Sequence, residues 1–126
     1  MSYRTDRQRV HGLGAARDGT HHWWSQRLTS IAMIPLGLCF IFPFARALGS
    51  GWESVRLLYA TPFHAVVAML FLLVGFVHLQ QGLQVVIEDY VHDRPLRTAM
   101  LLANIFICWA LALIGVFAVL RIALAA

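Results

Sequence analysis

His78, Gly82, Asp89 and Tyr90 stand in one apolar run, in the stretch HLQQGLQVVIEDY at residues 78 to 90. An ionisable side chain inside such a run is costly in hydrocarbon and marks a functional position by default. Histidine meets that cost in three ways. It donates to a carbonyl of a neighbouring helix, relays protons, or ligates a metal or a haem iron. As a residue type it titrates near neutrality, so the uncharged ring is easy to keep. At 100° per residue Gly82 shares the face of His78. The missing side chain leaves room for something flat and bulky, or for another helix, because small residues also serve plain helix packing. Asp89 returns to within about 20° of His78 and lies about 16 Å further along the axis; Tyr90 is turned by about 100° more. The face thus carries a potential ligand, a gap beside it and a hydrogen-bonding pair at its end. Each also has an ordinary reading: an interhelical hydrogen bond for His78, a solvated helix end for Asp89 and Tyr90, and polar packing for Gln80, Gln81 and Gln84.

One histidine does not complete a six-coordinate haem, so a second axial ligand has to come from a partner subunit. His64 is the other histidine within an apolar stretch. It lies about 21 Å from His78 and within about 40° of its face, a spacing that suits either a second haem or an interfacial histidine. Cys39 and Cys108 fall mid-span in different helices, where buried apolar cysteine is the expectation over a disulfide or metal pair.

These residues need helices to position them. The chain has 126 residues, 60% of them hydrophobic, with 13% charged. A soluble domain of this size carries about 25% charge. Three uncharged stretches run from Leu28 to Ala45, Leu57 to Ile87 and Thr98 to Leu120. Each is long enough to cross a bilayer, which takes about 20 apolar residues in a helix. The second is over-long, so part of it is expected at the interface. Unpaired backbone is excluded from hydrocarbon, and the many short alternating strands of a barrel are absent. The expected fold is therefore all-α: a transmembrane three-helix bundle with helices at about 25–48, 62–89 and 96–122. A polar N-terminal segment, residues 1–22, precedes the membrane domain at 23–126.

All ten basic residues are arginines. Arg4, Arg7, Arg9, Arg17 and Arg27 precede the first span, and Arg94 and Arg97 separate the second from the third. Arg46, Arg56 and Arg121 fall on the other side. The positive-inside rule then puts the N-terminus in the cytoplasm and the C-terminus outside; the expected location is a bacterial inner (cytoplasmic) membrane, with the C-terminus periplasmic. The basic balance thus reflects topology. No soluble basic face is present, so no nucleic-acid partner is expected. The first apolar run has no small-residue cleavage site and is read as a retained helix. HHWW at 21–24 marks the membrane entrance, since tryptophan favours the interface. Residues 1 to 20 are expected to be loosely ordered. Pro35 and Pro43 are expected to disturb the first helix. Thr61-Pro62 has the form of a helix start, with threonine as N-cap and proline at the first helical position. His92-Asp93-Arg94-Pro95 is the connection to the third helix.

The pattern H-x3-G-x6-D-Y at 78–90, in the second of three helices, resembles the small membrane-anchor subunits of succinate dehydrogenase, respiratory complex II. WWSQRLTS at 23–30 resembles the same family's helix-one start, an arginine followed by threonine and a small residue. The likeness covers about residues 20 to 120. The large anchor subunit is a poorer match, because Gln26 stands where its signature has histidine before the arginine. The resemblance implies that His78 is an axial ligand of haem b shared with the large cytochrome b anchor subunit. It implies that Gly82 packs beside the haem, that Tyr90 donates to a ubiquinone carbonyl with Asp89 beside the quinone pocket, and that Arg27 lies near the haem propionates or the quinone. A tyrosine hydroxyl suits a quinone oxygen, and arginine suits a carboxylate. Glu88 and the histidines of that side are expected to face water.

The expected function is the membrane anchor of a succinate:ubiquinone oxidoreductase. It would dock a flavoprotein and an iron–sulfur subunit, hold half of a haem b clamp and form one wall of the ubiquinone site. The chain itself has no flavin or cluster motif, since two isolated cysteines do not hold an iron–sulfur cluster; it would be an enzyme only as a subunit of the complex. The alternatives are the anchor of a fumarate reductase running in reverse, a haem-free structural subunit in which His78 joins helices, and a transporter or channel subunit, which would need more polar residues than Asn104 along the third span.

Overall fold

The computed structural model describes residues 5–11 and 19–125. Five helices follow in order: α1 Asp6–His11, α2 Gly19–Ala47, α3 Trp52–Ala60, α4 Pro62–Tyr90 and α5 Arg94–Leu124. No strand occurs among the described residues, and three of the helices are long and apolar enough to cross a membrane. The all-α, three-span reading therefore holds. At 1.5 Å per residue the 29 residues of α4 extend about 43 Å, well beyond the ~30 Å of a hydrocarbon core.

The expectation of a loosely ordered residues 1 to 20 falls largely outside the described residues. Within them, α1 is started by a reciprocal cap. The Gln8 amide donates to Thr5 Oγ1 and the Thr5 amide to Gln8 Oε1, both at 3.3 Å, which satisfies two donors that a helix start leaves free. Helix α2 begins at Gly19 and runs on through Pro35 and Pro43. Each proline removes one i→i−4 hydrogen bond without ending the helix. It closes at Gly49, whose φ of 83° favours glycine, and Gly51 with φ 87° opens α3.

Helix α3 was not expected: residues 52–60 form a separate short helix, while α4 starts at Pro62 as the Thr61-Pro62 signal predicts. The proline ring disfavours helical geometry in the residue before it, and Thr61 accordingly sits at φ −74°, ψ 122°. The expected threonine cap is only half present. Thr61 stands at the N-cap, but its side chain makes no capping bond. Its hydroxyl donates back to the Leu57 carbonyl at 3.5 Å, while its own carbonyl accepts from the Ala65 amide at 3.0 Å. In α3, Tyr59 is buried while Trp52 and Leu57 are exposed. Asp93 caps α5 in full, accepting from the Leu96 amide at 2.9 Å, so that helix starts at Arg94 with Pro95 in its first turn.

Helix α4 is the middle element. It packs on α2 and on α5, whereas α2 and α5 make no contact with each other among the described residues. Both pairs are antiparallel: Thr29 meets His78 and Ser25 meets Gln81, while Gln80 meets Asn104 and Leu72 meets Gly115. The buried positions are mostly small, among them Ala65, Ala68, Cys108 and Ala112. Small residues let helix backbones approach where lipid supplies no hydrophobic drive. At the end near α3, Phe40 stacks on Phe71 at 4.7 Å and on Tyr59 at 6.5 Å between ring centroids. Ile34, Leu38 and Phe42 of α2, and Phe106, Ile114 and Phe117 of α5, are exposed. An apolar surface of this extent requires lipid or a partner. Cys108 is buried as expected, but Cys39 is exposed, because it faces away from the helix packed against α2.

Candidate functional site

His78 lies sixteen residues inside Pro62 and twelve inside Tyr90, about 18 Å from the Tyr90 end. It is half-buried at the α2–α4 seam. Its Nδ1 is 3.0 Å from Thr29 Oγ1. Toward the Tyr90 end the polar seam is extended by Gln81 Nε2, which donates to Ser25 Oγ at 2.7 Å; within α2, Ser30 Oγ donates to the Gln26 carbonyl at 2.8 Å. Gly82 faces Gln26, whose Nε2 would stand 3.6 Å from a Cβ placed there. The space left by Gly82 is thus bounded by a neighbouring helix. Gln26 Oε1 and Gln81 Oε1 are buried acceptors without a partner among the described residues.

A second polar contact joins α4 to α5. Asn104 is buried, its Nδ2 donates to the Gln80 carbonyl at 2.9 Å, and its Oδ1 accepts from Cys108 Sγ at 3.4 Å. The helical period explains this division. His78, Gln81 and Gly82 turn toward α2, while Gln80 contacts α5.

The expected site residues do not form one cluster. Asp89 and Tyr90 end α4 on its open side, with Tyr90 78% exposed. Glu88 is exposed and accepts from Gln84 Nε2 at 2.9 Å. Arg27 is exposed and its guanidinium lies 5.3 Å from the centroid of the Trp23 ring, a cation–π contact. Arg27 is two positions from Thr29, which turns it about 160° away around α2. The structure therefore does not bring Arg27 to His78. Among the described residues the ion pairs are Arg9 with Asp6 and Arg56 with Glu53, so Arg27 has none with Asp89. Nor does any group of three histidine, cysteine or acidic side chains gather there to hold a metal ion. His64 sits near the opposite end, beside a shallow cleft of about 420 Å³ lined by Arg46, Ser50 and Ser54, with its Nδ1 buried and without a partner among the described residues.

Ser25 is the residue of this seam that the sequence reading did not single out; Thr29 entered it only as the threonine after Arg27 in WWSQRLTS, and Asn104 only as a polar residue of the third span, neither with a partner. A signal for the first two exists. Ser25 and Thr29 recur at i, i+4 on α2, and His78 and Gln81 recur at i, i+3 on α4, so each pair shares a face.

A protein-family model described as "Succinate dehydrogenase/Fumarate reductase transmembrane subunit" matches residues 1–117. The succinate dehydrogenase hydrophobic membrane anchor subunit of Paracoccus denitrificans is 34% identical over 126 residues, covering 100% of this chain and 97% of its own. The subunit of the same name from Rickettsia bellii is 27% identical over 104 residues, 80% of this chain and 81% of its own. The succinate dehydrogenase membrane anchor subunit of Reclinomonas americana is 26% identical over 84 residues, 64% and 70% of the two chains. No solved structure matches the chain significantly. With a family model covering nearly its whole length and full-length likeness to a curated anchor, the chain belongs to the succinate dehydrogenase/fumarate reductase transmembrane subunit family, among its hydrophobic membrane anchors.

Proposed function

We propose that this chain is the haem-bearing anchor of a succinate:ubiquinone oxidoreductase. It docks a flavoprotein and an iron–sulfur subunit at the membrane and pairs with a large cytochrome b anchor. The observation that carries this reading is His78, an imidazole deep in α4, in contact through Nδ1 with Thr29 and belonging to no group of three or more metal-ligating side chains among the described residues.

That donor set fits one axial bond to a haem iron and no more. A structural metal ion would need about four ligands from the protein, and His78 has no such company. A haem shared with a second subunit needs one ligand from each. The haem would supply one-electron transfer when bound. The part of this chain is to present an uncharged imidazole at mid-membrane depth, and the exposed apolar faces of α2 and α5 offer surface for the second anchor and for lipid.

Quinone reduction takes up two electrons and two protons, so its site belongs at an aqueous edge. Tyr90 and Asp89 are at such an edge, exposed at the end of α4. The Tyr90 hydroxyl would donate to a ubiquinone carbonyl, and the Asp89 carboxylate would stand beside the pocket. Gly82 keeps the seam beside His78 narrow enough for Gln26 and leaves one edge for the haem. Arg27 is assigned to the haem propionates or the quinone vicinity on family likeness alone; its guanidinium leans on Trp23. The arginine distribution supports a cytoplasmic location for this end, and the proposed setting is a bacterial inner membrane with the C-terminus in the periplasm.

The test is purification of the native complex through a tag on this chain. Flavoprotein, iron–sulfur and large anchor subunits should arrive together, with succinate-dependent quinone reduction. A chain that purifies without them, or a complex that reduces artificial acceptors but no quinone, contradicts the proposal.

A further inference from the structure

The Thr29 hydroxyl has one hydrogen and three polar neighbours. The Ser25 carbonyl is at 3.1 Å, the Gln26 carbonyl at 3.0 Å and His78 Nδ1 at 3.0 Å. A carbonyl only accepts, so the hydrogen on either of those contacts belongs to Thr29. A threonine within a helix satisfies itself by this back-bond to the preceding turn. Its oxygen lone pair is then what faces His78. The ring has to donate from Nδ1, and a neutral imidazole with its proton on Nδ1 carries its lone pair on Nε2. The proton is assigned here from the network around it.

We propose that Thr29 is a positioning residue: it holds His78 in the Nδ1–H tautomer and so presents Nε2 to the haem iron. This inference rests on the axial-ligand reading of His78 and adds to it the residue that makes the ligand competent. The bracket is stiff. Threonine is branched at Cβ and restricted at χ1, and its back-bond fixes the direction of the hydroxyl. One turn along, the Gln81–Ser25 bond of 2.7 Å holds the same two helices in register. The ring is therefore aimed before an iron arrives. Donation from Nδ1 to an oxygen also makes Nε2 the more basic ligand, as partners behind metal-bound histidines do. A more basic ligand favours ferric over ferrous iron and lowers the haem midpoint potential.

The test compares Thr29→Val, which removes the hydroxyl and keeps the shape, with Thr29→Ser, which keeps the hydroxyl. Wild type and His78→Ala are measured beside them, each in the complex purified through this chain. Succinate oxidation by an artificial acceptor reports assembly. Haem b per complex, the haem midpoint potential and the low-temperature EPR of the ferric haem report the ligand. Thr29→Val should hold haem about 10- to 100-fold more weakly, and the haem it retains should have a raised potential and a shifted EPR signal. Thr29→Ser should stay close to wild type. Should Thr29→Val fail to assemble, Thr29→Ala carries the same comparison. Haem content, potential and EPR unchanged in Thr29→Val, with haem lost in His78→Ala, would overturn the role of Thr29 and leave the ligand standing. Equal loss in the serine and valine variants would also overturn it, since packing would then be the cause. Wild-type haem in His78→Ala would overturn the ligand reading and this role with it.

Discussion

Replacing Tyr90 by phenylalanine isolates one hydrogen bond. Tyr90 is the last residue of α4 and 78% exposed, and its hydroxyl makes no hydrogen bond within the described residues. Removing that oxygen therefore leaves packing and folding untouched. The backbone there is held separately, by the Val91 amide donating to the Ile87 carbonyl at 3.0 Å. On the proposed role, what the variant loses is the bond to a quinone carbonyl. A neutral hydrogen bond contributes about 0.5–1.5 kcal/mol, which corresponds to a fall of about 2- to 13-fold in kcat/KM for quinone. The assay runs both electron routes on one preparation: succinate to ubiquinone, and succinate to a soluble artificial acceptor that bypasses the membrane site. The quinone rate should fall by that factor while the artificial rate holds. Equal loss of both would trace the effect to assembly, and an unchanged quinone rate would remove Tyr90 from the site.

Three further outcomes follow from the packing. Asn104→Val deletes the α4–α5 bond, but the Gln80 carbonyl is interior to α4 and keeps its own helical donor. The cost should therefore stay within the range of single interhelical bonds in membranes, about 0.6–1.7 kcal/mol, read as lower resistance of the complex to detergent unfolding with the haem spectrum unchanged. Gly115→Val should cost more, because even a Cβ at Gly115 would lie 3.1 Å from Leu72 Cδ1; overpacking of this kind costs about 1–3 kcal/mol, and a thermal stability equal to wild type would contradict the seam. Burial raises the Tyr59 hydroxyl above its ordinary value. The unfolded chain then ionises first, so the contribution of Tyr59 is complete below about pH 10 and is lost as pH rises through the folded value. Tyr59→Phe should remove that alkaline loss, as followed by thermal unfolding across pH.

Much of this architecture was legible because it rests on local rules. Apolar run length gave three spans, and Pro62 and Asp93 place the starts of α4 and α5 as their chemistry requires. Helix α3 was not foreseen: Pro62 separates it from the span that follows, but its nine residues, with Tyr59 buried and Trp52 and Leu57 exposed, are too few for a helical period to register. The chemistry-bearing face was legible from the spacing of His78 and Gly82 along α4. Its partner was not, since which residue of α2 stands opposite His78 depends on the depth and rotation of two helices. Thr29 and Ser25 look like ordinary polar residues near a membrane surface until the seam closes. Arg27 shows the converse. Family likeness alone suggested the haem propionates or the quinone vicinity for it, and the two-residue step from Thr29 sets it on another side of α2 than the one that meets His78.

The measurement that bears most directly on the account is a reduced-minus-oxidised visible spectrum of the complex purified through this chain, in wild type and in His78→Ala. The account predicts a b-type haem band in wild type that is lost or shifted in the variant, with succinate oxidation by an artificial acceptor retained. A wild-type complex without haem, or an identical band in His78→Ala, would contradict it and leave His78 as a hydrogen-bonded join between α2 and α4.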